Sequence, residues 1–558
     1  MPNGAQLFVR SACELGIDTV FTLVGDHLNE VLAEAARAGM RVVDMRHESA
    51  VVHAADAWAR LHRKPALSLV TGGPGHTNSL TGIATANLAG SPVIAVSGSR
   101  ARKMAERQAF QDIDQVGIVR PVVKWAAEVP AASEIPFYLT RAWREANGGR
   151  RGAVHLTVPV DVFGEEGVGG RVWGVGKGAA PAAPRASDIG AAIELLRNSE
   201  RPVVIAGSGV WWADAEEELR TFVELTSIPL YTITMARGAV SDDHPLMMGY
   251  ADPALNRGAY EAFRGADLFL VVGKRIDYRL ALGGTRLFPE GARFIQIDLH
   301  AGELGMNRKL DVAICSDARA ALHELSTIAG PEKWAARPWL ARARELRDGW
   351  RAKLAAMGDS ASPIHPASFF RELASCLPPD VLYSWDGGDF AHWGRATLPA
   401  RHAGGWLRLG PLGTIGAALP NGLALKMANP ERPVAIITGD GALGFYIAEM
   451  DSLARHRLPV VVIVGNDAGW GLERELQSLV TEGEPTVACE LAPARYDVAM
   501  QAFGGAGETI ERLDQVRPAA ERAFSAAVPY CLNVKIRGER SPFTEWQIAG
   551  KAASSKRS

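Results

Sequence analysis

Two polar turns, each directly after an apolar and β-branched run, carry the strongest chemical signal in this 558-residue sequence. Gly439-Asp440-Gly441 follows the run 433–438, and Gly465-Asn466-Asp467 follows the run 459–464. One carboxylate, one amide oxygen and a loop carbonyl suit Mg²⁺, which leaves its other positions to water and phosphate oxygens. The free N–H groups of Gly441 and Ala442, at a helix start, would face the same phosphates. We therefore expect a Mg²⁺–diphosphate site, with an ordinary Asp-capped turn as the alternative.

The elements around these turns must bring Asp440 and Asn466 together. Apolar residues recur at helical spacing from Leu443 to Leu453, between the two runs, and this pattern indicates a strand–helix–strand unit. Strands joined in this way are usually parallel neighbours. Because ligands of open α/β sheets bind at the carboxyl ends of the strands, both turns are predicted at one edge of a sheet.

Three stretches in the N-terminal part could also do chemistry. Glu48 stands at a strand-to-helix junction, the glycine-rich turn 71–78 (TGGPGHTN) enters a helix, and Gln111 lies in the stretch 108–125. A carboxylate shielded from water has a raised pKa and can share a proton with a ligand. A glycine-rich turn lets the backbone approach a ligand closely. Each stretch also has a structural interpretation, as a helix-dipole partner, a tight turn or a surface loop.

Taken together, these motifs resemble those of thiamine-diphosphate-dependent enzymes, in particular the acetohydroxyacid synthase-like group. GDG is followed after 24 residues by an Asn-containing turn, with Asp467 where many members have a second Asn. TGGPGHTN is similar to TSGPG-type turns, and the stretch from Phe110-Gln111-Asp112 to Lys124 is similar to FQE…P…K. Within the group, the runs 207–246 and 493–504 most resemble 2-hydroxyacyl-CoA lyase and oxalyl-CoA decarboxylase.

The resemblance implies a role for each residue of the site. Asp440, Asn466 and the backbone oxygen of Ala468 are the implied metal ligands. Glu48 would hydrogen-bond the aminopyrimidine, Gly413 would offer a carbonyl to its exocyclic amine, and Ile415 would wedge between the two rings. The residues assigned to the cofactor are Gly25, Glu48, Gly388, Asp389 (through its backbone), Phe390, Gly413, Ile415, Asp440, Gly441, Ala442 and Asn466. The residues assigned to catalysis are Glu48, Gln111 and Asp26, together with Glu490, whose loop would place it near the substrate hydroxyl, with a surface carboxylate as the alternative.

One turn departs from the group. Gly25-Asp26-His27 replaces the usual GxPG and is similar to the GDY turn of pyruvate decarboxylases, which changes the polarity expected near the reacting carbon.

The order of helical and strand patterns predicts an α/β fold of three doubly wound, parallel-sheet domains. They are a pyrimidine-binding domain at 1–165, a middle domain at 189–345 and a diphosphate- and metal-binding domain at 363–540. The Gly, Ala and Pro-rich stretch 165–188 is predicted to be a linker. The tail 541–558 shows no clear pattern and is predicted either as a frayed terminus or, through Phe543 and Trp546, as an active-site lid.

The middle domain contains two turns that suit an adenine nucleotide. They are Gly207-Ser208-Gly209 and Gly273-Lys274-Arg275, each directly after a predicted strand. A structural turn is the alternative for a lone GSG. By resemblance, Arg275 and Asp298 contact the nucleotide, which would be ADP, with FAD as the second choice.

Charge and composition narrow the functional classes. A formal charge of −2 and a pI near 6.7 give no electrostatic basis for nucleic acid or a membrane surface as a partner. Five scattered cysteines without CxxC spacing argue against a disulfide framework or structural zinc. No segment resembles a signal peptide or a membrane span, so we expect a cytoplasmic protein.

The resemblance predicts cleavage or formation of a C–C bond next to a carbonyl. The first hypothesis is a 2-hydroxyacyl-CoA lyase, with acetolactate formation or 2-oxoacid decarboxylation as the alternative, favoured by the flavin-like turn 273–279. A non-catalytic regulatory protein is a third class, which Glu48, Asp440 and Asn466 disfavour. At least a homodimer is implied, since the family pairs these residues across subunits, and a homotetramer is expected. The cations Arg395, Arg401, Lys551, Lys556 and Arg557 are candidates for the CoA phosphates.

Overall fold

The computed structural model describes residues 1–168, 182–330, 334, 337–481 and 485–555. These residues form three α/β domains, each built on a six-stranded sheet in which every paired strand runs parallel to its neighbours. The predicted fold class is therefore confirmed. Most of the linker predicted at 165–188 lies outside the described residues, as do Lys556 and Arg557 of the tail.

The first sheet has the strand order β2-β1-β3-β4-β6-β5. Its strands are β1 (Thr19–Thr22), β2 (Arg41–Asp44), β3 (Ala66–Val70), β4 (Val93–Ser99), β5 (Ala126–Glu128) and β6 (Val154–Pro159). Its helices are α1 (Gly4–Glu14), α2 (Asn29–Arg37), α3 (Glu48–His62), α4 (Pro74–Ala89), α5 (Gln115–Val119), α6 (Ile135–Asn147) and α7 (Val160–Gly164). The central strands are buried along their whole length, as expected of a parallel sheet covered by helices on both faces.

The middle sheet has the order β12-β11-β10-β7-β8-β9. Its strands are β7 (Pro202–Ala206), β8 (Leu230–Thr232), β9 (Met247–Tyr250), β10 (Leu268–Val272), β11 (Arg293–Asp298) and β12 (Val312–Cys315). Its helices are α8 (Ala186–Arg197), α9 (Ser208–Trp212), α10 (Glu216–Thr226), α11 (Arg257–Gly265) and α12 (Ala318–Ala329), and α13 (Pro338–Ala356) leads on to the next domain. The connection order reverses between β7 and β10, which is the point where doubly wound sheets open a ligand crevice.

The third sheet has the order β14-β13-β15-β16-β18-β17, the same topology as the first. Its strands are β13 (Leu382–Trp385), β14 (Trp406–Arg408), β15 (Val434–Gly439), β16 (Val461–Asn466), β17 (Ala506–Ile510) and β18 (Tyr530–Lys535). Its helices are α14 (Pro366–Ala374), α15 (Gly388–Thr397), α16 (Ala418–Ala428), α17 (Asp440–Gly444), α18 (Glu449–Arg455), α19 (Gly471–Val480), α20 (Tyr496–Ala502) and α21 (Val516–Ser525).

The helix predicted between the two polar turns is broken into α17 and α18. Around the break, Phe445 and Tyr446 donate their N–H groups to carbonyls three residues back, in tighter turns than an α-helix. The interruption brings Tyr446 against His47 and His53 of the first domain, with ring centroids 5.4 and 5.7 Å apart.

One apolar core is shared by the first and third domains. Helix α3 packs on α16, and the buried side chains of Val51, Trp58, Leu419 and Leu423 belong to the same cluster. Polar contacts cross the same boundary, including the Arg60 guanidinium, which donates to the carbonyl of Arg408 at 2.8 Å. The two domains are therefore held as one body within a single chain.

The C-terminal tail contains a helix, α22 (Pro542–Ser555), where the sequence showed no pattern. Phe543 packs on His392 of the third domain, with ring centroids 4.1 Å apart. Trp546 lies against Tyr260 and under the guanidinium groups of Arg257 and Arg286 in the middle domain. The helix packs on two domains, and these contacts stabilise it. The local sequence of the tail does not reveal them, because the contacting residues lie far away along the chain. Among the described helices, none has the length and apolar character needed to cross a bilayer.

Candidate active site

The two polar turns lie side by side at the carboxyl edge of the third sheet. Strands β15 and β16 pair in parallel with Gly439 opposite Gly465. The next residues are Asp440, which begins α17, and Asn466, which ends β16. Both side chains are 2% exposed. Gly465 must be glycine, because a Cβ there would lie 2.2 Å from Cγ of Phe390. This contact packs the end of β16 against the start of α15.

Asp440 is a buried carboxylate without a cationic partner among the described residues. Its Oδ1 accepts from the N–H of Gly441 at 2.9 Å, and its Oδ2 accepts from the N–H of Gly469 at 3.1 Å. Burial and the nearby charge of Asp467 raise the pKa of Asp440 to about 7. The deprotonated carboxylate of Asp440 therefore carries a negative charge that no described side chain neutralises, and a bound cation would stabilise it.

Asn466 is held in place by hydrogen bonds, and its side-chain oxygen keeps one lone pair for a ligand. Its Nδ2 donates to the carbonyl of Ala494 and to Oδ1 of Asn533, both at 2.9 Å, while its Oδ1 accepts from the N–H of Ala468 at 3.2 Å. Ala468 adopts a left-handed conformation with φ +52°. Its carbonyl accepts from the N–H of Leu491 at 2.8 Å and retains a second lone pair.

The starts of α15 and α17 line one cleft together with Ile415. Gly388 opens α15 with φ +83°. The carboxylate of Asp389 is turned away toward α22, where the hydroxyls of Ser541 and Thr544 donate to it. The ring of Phe390 is buried in the core. Only the backbone of Asp389 and Phe390 therefore remains for a ligand, together with the N–H groups of Gly441 and Ala442.

Asp386, which sequence reasoning missed, positions the turn that carries Gly413 and Ile415. Its Oδ1 accepts from the N–H groups of Gly387 and Gly416, both at 2.9 Å, and its Oδ2 accepts from the hydroxyl of Thr438 at 3.0 Å. Burial raises the pKa of Asp386 to about 6. The signal was present in the sequence, since Asp386 directly follows a strand and precedes two glycines.

The polar stretches of the first domain meet at the corresponding edge of their own sheet. A Cβ on Gly25 would lie 2.5 Å from Cβ of Thr71, and a Cβ on Gly73 would lie 2.8 Å from Cβ of Gln111. Glu48 begins α3, and its Oε2 accepts from Nδ2 of Asn78 at 3.0 Å. This edge therefore presents Glu48 beside the glycine-rich turn.

Two further residues support this edge and were not predicted. Gln115 is buried, accepts from the N–H of Gly73 at 3.0 Å and donates to the carbonyl of Gly98 at 3.0 Å. Glu449 of the third domain accepts from the N–H of Arg46 at 3.1 Å, two residues before Glu48. Burial raises the pKa of Glu449 to about 7.

The remaining predicted catalytic residues lie on the surface. Asp26 is exposed in the turn after β1. Glu490 is also exposed and forms two hydrogen bonds of 3.0 Å with Arg474, whose side chain lines the cleft of Asp440. Glu490 therefore stands one residue away from the cleft.

Among the described residues, Glu48 and the predicted cofactor residues of the third domain do not line a common cleft. Ile415, Asp440, Gly441 and Ala442 line the cleft of the third domain, and Glu48 does not.

The crevice of the middle domain brings Arg275 and Asp298 to one wall. It lies beside the turns after β7 and β10 and is closed by residues of both other domains. Arg275 donates to the carbonyl of Leu88 at 3.2 Å. Burial raises the pKa of Asp298, while the N–H of His300 donates to its Oδ1 at 2.9 Å.

Comparison with known proteins matches three family models along this chain. They are described as thiamine pyrophosphate enzyme, N-terminal TPP binding domain (residues 2–118), central domain (residues 189–325) and C-terminal TPP binding domain (residues 386–534). The chain therefore belongs to the thiamine pyrophosphate enzymes, and it is a thiamine-diphosphate-dependent enzyme.

Relatives that match nearly the whole chain carry two kinds of name. The acetolactate synthase large subunit IlvG of Mycobacterium tuberculosis is 34% identical over 95% of this chain and 95% of its own length. The 2-hydroxyacyl-CoA lyase 2 of Caenorhabditis elegans is 31% identical over 94% of this chain and 87% of its own length. The human 2-hydroxyacyl-CoA lyase 2 is 30% identical over 96% of this chain and 90% of its own length. Both names fall within the acetohydroxyacid synthase-like group that the motifs predicted.

The residues present fit thiamine diphosphate and a small dication. The described residues contain no cluster of three or more His, Cys, Asp or Glu that could bind a metal, so a metal site here needs amide and carbonyl oxygens. Asp440, Asn466 and Ala468 supply that mixed oxygen set, and hard oxygen ligands suit Mg²⁺.

Proposed function

We propose that this protein is a thiamine-diphosphate- and Mg²⁺-dependent 2-hydroxyacyl-CoA lyase. It would cleave the C1–C2 bond of a 2-hydroxyacyl-CoA to give formyl-CoA and an aldehyde or ketone, and run the reverse condensation. The observation that carries the proposal is that Asp440 and Asn466, both buried, follow the paired glycines Gly439 and Gly465, and that no described cationic side chain pairs with Asp440. The relatives named 2-hydroxyacyl-CoA lyase 2 support the substrate class.

Each residue of the third domain has a defined task in this proposal. Asp440, Oδ1 of Asn466 and the carbonyl of Ala468 hold Mg²⁺, and the N–H groups of Gly441 and Ala442 bind the diphosphate. Thiamine diphosphate, when bound, supplies the carbon nucleophile that attacks the substrate carbonyl. The chain's own part would be to hold the coenzyme in the third-domain cleft, where Ile415 would contact its rings, and to exclude water.

The first domain supplies the acid. The carboxylate of Glu48, oriented by Asn78, would share a proton with the pyrimidine ring while the carbonyl of Gly413 accepts from the ring's amine. Gln111 and Asp26 would face the substrate from the same edge, and Glu490 would approach from the other side through Arg474.

A second copy of the chain would complete the site. The first and third sheets have the same topology, so a two-fold dimer can place the edge of one chain's first sheet against the other chain's third sheet. Large apolar side chains are exposed beside both halves: Phe110 (81%) next to Gln111, Leu412 (43%) next to Gly413 and Phe445 (55%) after α17. Such exposed apolar residues favour an interface. A homotetramer would pair two of these dimers.

The middle crevice is proposed to bind ADP, with FAD as the second choice. Its position at the β7–β10 switch point and the side chains of Arg275 and Asp298 support this assignment. Of the two arginines considered for the CoA phosphates, Arg395 is buried, whereas Arg401 is at the surface and pairs with Asp243 at 2.7 Å.

Acetolactate formation is the second candidate, because the relatives that carry that name reach 34% identity over 95% of the chain. The deciding experiment gives the purified enzyme, with thiamine diphosphate and Mg²⁺, either a 2-hydroxyacyl-CoA or pyruvate. Release of aldehyde or ketone with formyl-CoA supports the lyase. Release of carbon dioxide from pyruvate with acetolactate as product, and no cleavage of the thioester, would replace the lyase with the synthase.

A further inference from the structure

Three guanidinium groups and one carboxylate lie together where the middle and third domains meet, and all but Arg279 are buried. Arg279 pairs with Asp252 at 2.6 Å. Arg408 of β14 donates from Nη1 to the hydroxyl of Tyr250 at 3.1 Å. Arg395 of α15 acts electrostatically on both Arg408 and Tyr250. The carboxylate of Asp252 is thus the one negative charge in this group, against the three positive charges of Arg279, Arg395 and Arg408.

Arg395 and Arg408 lack the partners that buried charges need. Arg395 is 2% exposed and Arg408 is 8% exposed. Nε of both residues and Nη1 of Arg395 are buried without a hydrogen-bond partner. Among the described ranges, no carboxylate lies within ion-pair distance of either guanidinium. A buried cation in this state is costly to the fold unless an anion neutralises it.

The neighbouring groups respond to this excess of positive charge. Burial, reinforced by Arg408, lowers the pKa of Arg395 to about 9. Burial would raise the pKa of Tyr250, but the charges of Arg408, Arg395 and Arg279 outweigh it and lower the pKa overall. Burial is the main reason that the pKa of His392 lies well below its usual value, and the charges of Arg395, Arg279 and Arg408 lower it further. His392 is therefore neutral.

Arg408 faces a cavity that a ligand can enter. It lines the crevice between the three domains, together with Arg279 and the following residues Leu409, Gly410 and Pro411. Two other cations on this crevice have acids: Lys274 pairs with Asp277 at 2.6 Å and Arg150 pairs with Glu303 at 3.1 Å. Arg408 has no described acid within ion-pair distance, and it shares the crevice with Arg275, whose hydrogen bond goes to the carbonyl of Leu88. The crevice therefore offers positive charge to an anion that comes from outside the chain.

We propose that Arg408, with Arg395 behind it, forms a phosphate subsite at the third-domain end of the crevice. Guanidinium groups bind phosphate oxygens through two parallel N–H donors, and the apolar surroundings strengthen such a bond. The subsite goes beyond the lyase assignment, because it concerns a phosphate in the crevice and its tests read binding. Failure of the lyase assay would leave it standing.

Inorganic phosphate is the first probe. The full-length enzyme, saturated with thiamine diphosphate and Mg²⁺, is titrated with sodium phosphate at constant ionic strength while its melting temperature is measured. We expect the melting temperature of the wild type to rise with phosphate concentration and to level off. In Arg408→Gln the apparent affinity for phosphate should be at least about tenfold weaker. Arg342→Gln, which removes an exposed arginine paired with Glu345, is the matched control and should behave like the wild type.

ADP and CoA then identify the source of the phosphate, with calorimetric affinities measured in the same variants. If the variants bind only ADP more weakly than the wild type does, the subsite belongs to the nucleotide. If they bind only CoA more weakly, it belongs to the acyl carrier. If Arg408→Gln does not fold, Arg395→Gln replaces it, with an expected loss of at least about threefold because it removes charge behind the site. Absence of saturable phosphate binding in the wild type, or unchanged affinities for all three probes in the variants, would overturn the proposal.

Discussion

At the scale of single residues, the protonation of Asp440 links metal binding to pH. Its pKa in the folded, metal-free protein is about 7, against 3.8 for an ordinary Asp. The folded state therefore binds the proton more tightly than the unfolded state, so this residue destabilises the metal-free protein as pH rises from about 4 to about 7. Mg²⁺ requires the deprotonated carboxylate and competes with that proton.

We therefore predict that the apparent Mg²⁺ affinity falls by up to about tenfold per pH unit below pH 7. Titration of Mg²⁺ at several pH values between 5.5 and 8, followed by coenzyme-dependent circular dichroism, measures this. Asp440→Asn should bind Mg²⁺ far more weakly and lose most of the pH dependence. An affinity that does not change with pH in the wild type would show that Asp440 is not the titrating ligand.

Asp386 gives a second prediction at this scale. Asp386→Ala leaves the N–H groups of Gly387 and Gly416 without their acceptor, and each unsatisfied buried donor costs about 1–3 kcal/mol. We expect a loss of about 2–4 kcal/mol in the free energy of unfolding and a raised KM for thiamine diphosphate, because the turn carrying Ile415 is released. Asp514→Ala, at an exposed position, is the control and should be neutral. Equal stability of the two variants would contradict the positioning role.

At the scale of elements, the junction of β16 and α15 depends on the missing side chain of Gly465. Gly465→Ala would place a Cβ 2.2 Å from the Phe390 ring and push the end of β16 away from α15. We predict a destabilisation of about 1–3 kcal/mol and a loss of coenzyme affinity, measured by denaturant unfolding and by titration. In Gly190→Ala of α8, where the new Cβ meets nothing within 4 Å, stability should rise by about 0.5–1 kcal/mol. A Gly465→Ala protein with unchanged coenzyme affinity would contradict the close packing described here.

The elements also show how far sequence reasoning can go. The strands and their parallel order follow from the apolar runs and the helical spacing between them, so the fold class and the turns holding Asp440 and Asn466 could be predicted. Helix α22 could not, because it forms against Tyr260, Arg286 and His392 of two other domains. Asp386 and Gln115 were missed for a related reason, since their hydrogen-bond partners lie on distant segments of the chain.

At the scale of the whole molecule, one core holds the first and third domains of a chain together, while their catalytic edges do not form a common cleft. Within one chain, Glu449 also fixes the backbone before Glu48. In the proposed dimer, Glu48 and Asp440 of the same chain would therefore serve two different sites. Each active site would combine Glu48 of one chain with Asp440 of another.

Complementation between two inactive variants tests whether the active site is shared between two chains. Glu48→Gln and Asp440→Asn are each prepared, then unfolded together in equal amounts, refolded and assayed with thiamine diphosphate, Mg²⁺ and whichever substrate, 2-hydroxyacyl-CoA or pyruvate, the wild-type enzyme turns over. If the site is shared, every mixed dimer has one intact site of two, so the mixture should recover about a quarter of the wild-type activity. If both residues act within one chain, every site in the mixed dimer carries a defect, and a mixture no more active than the separate variants would contradict the account.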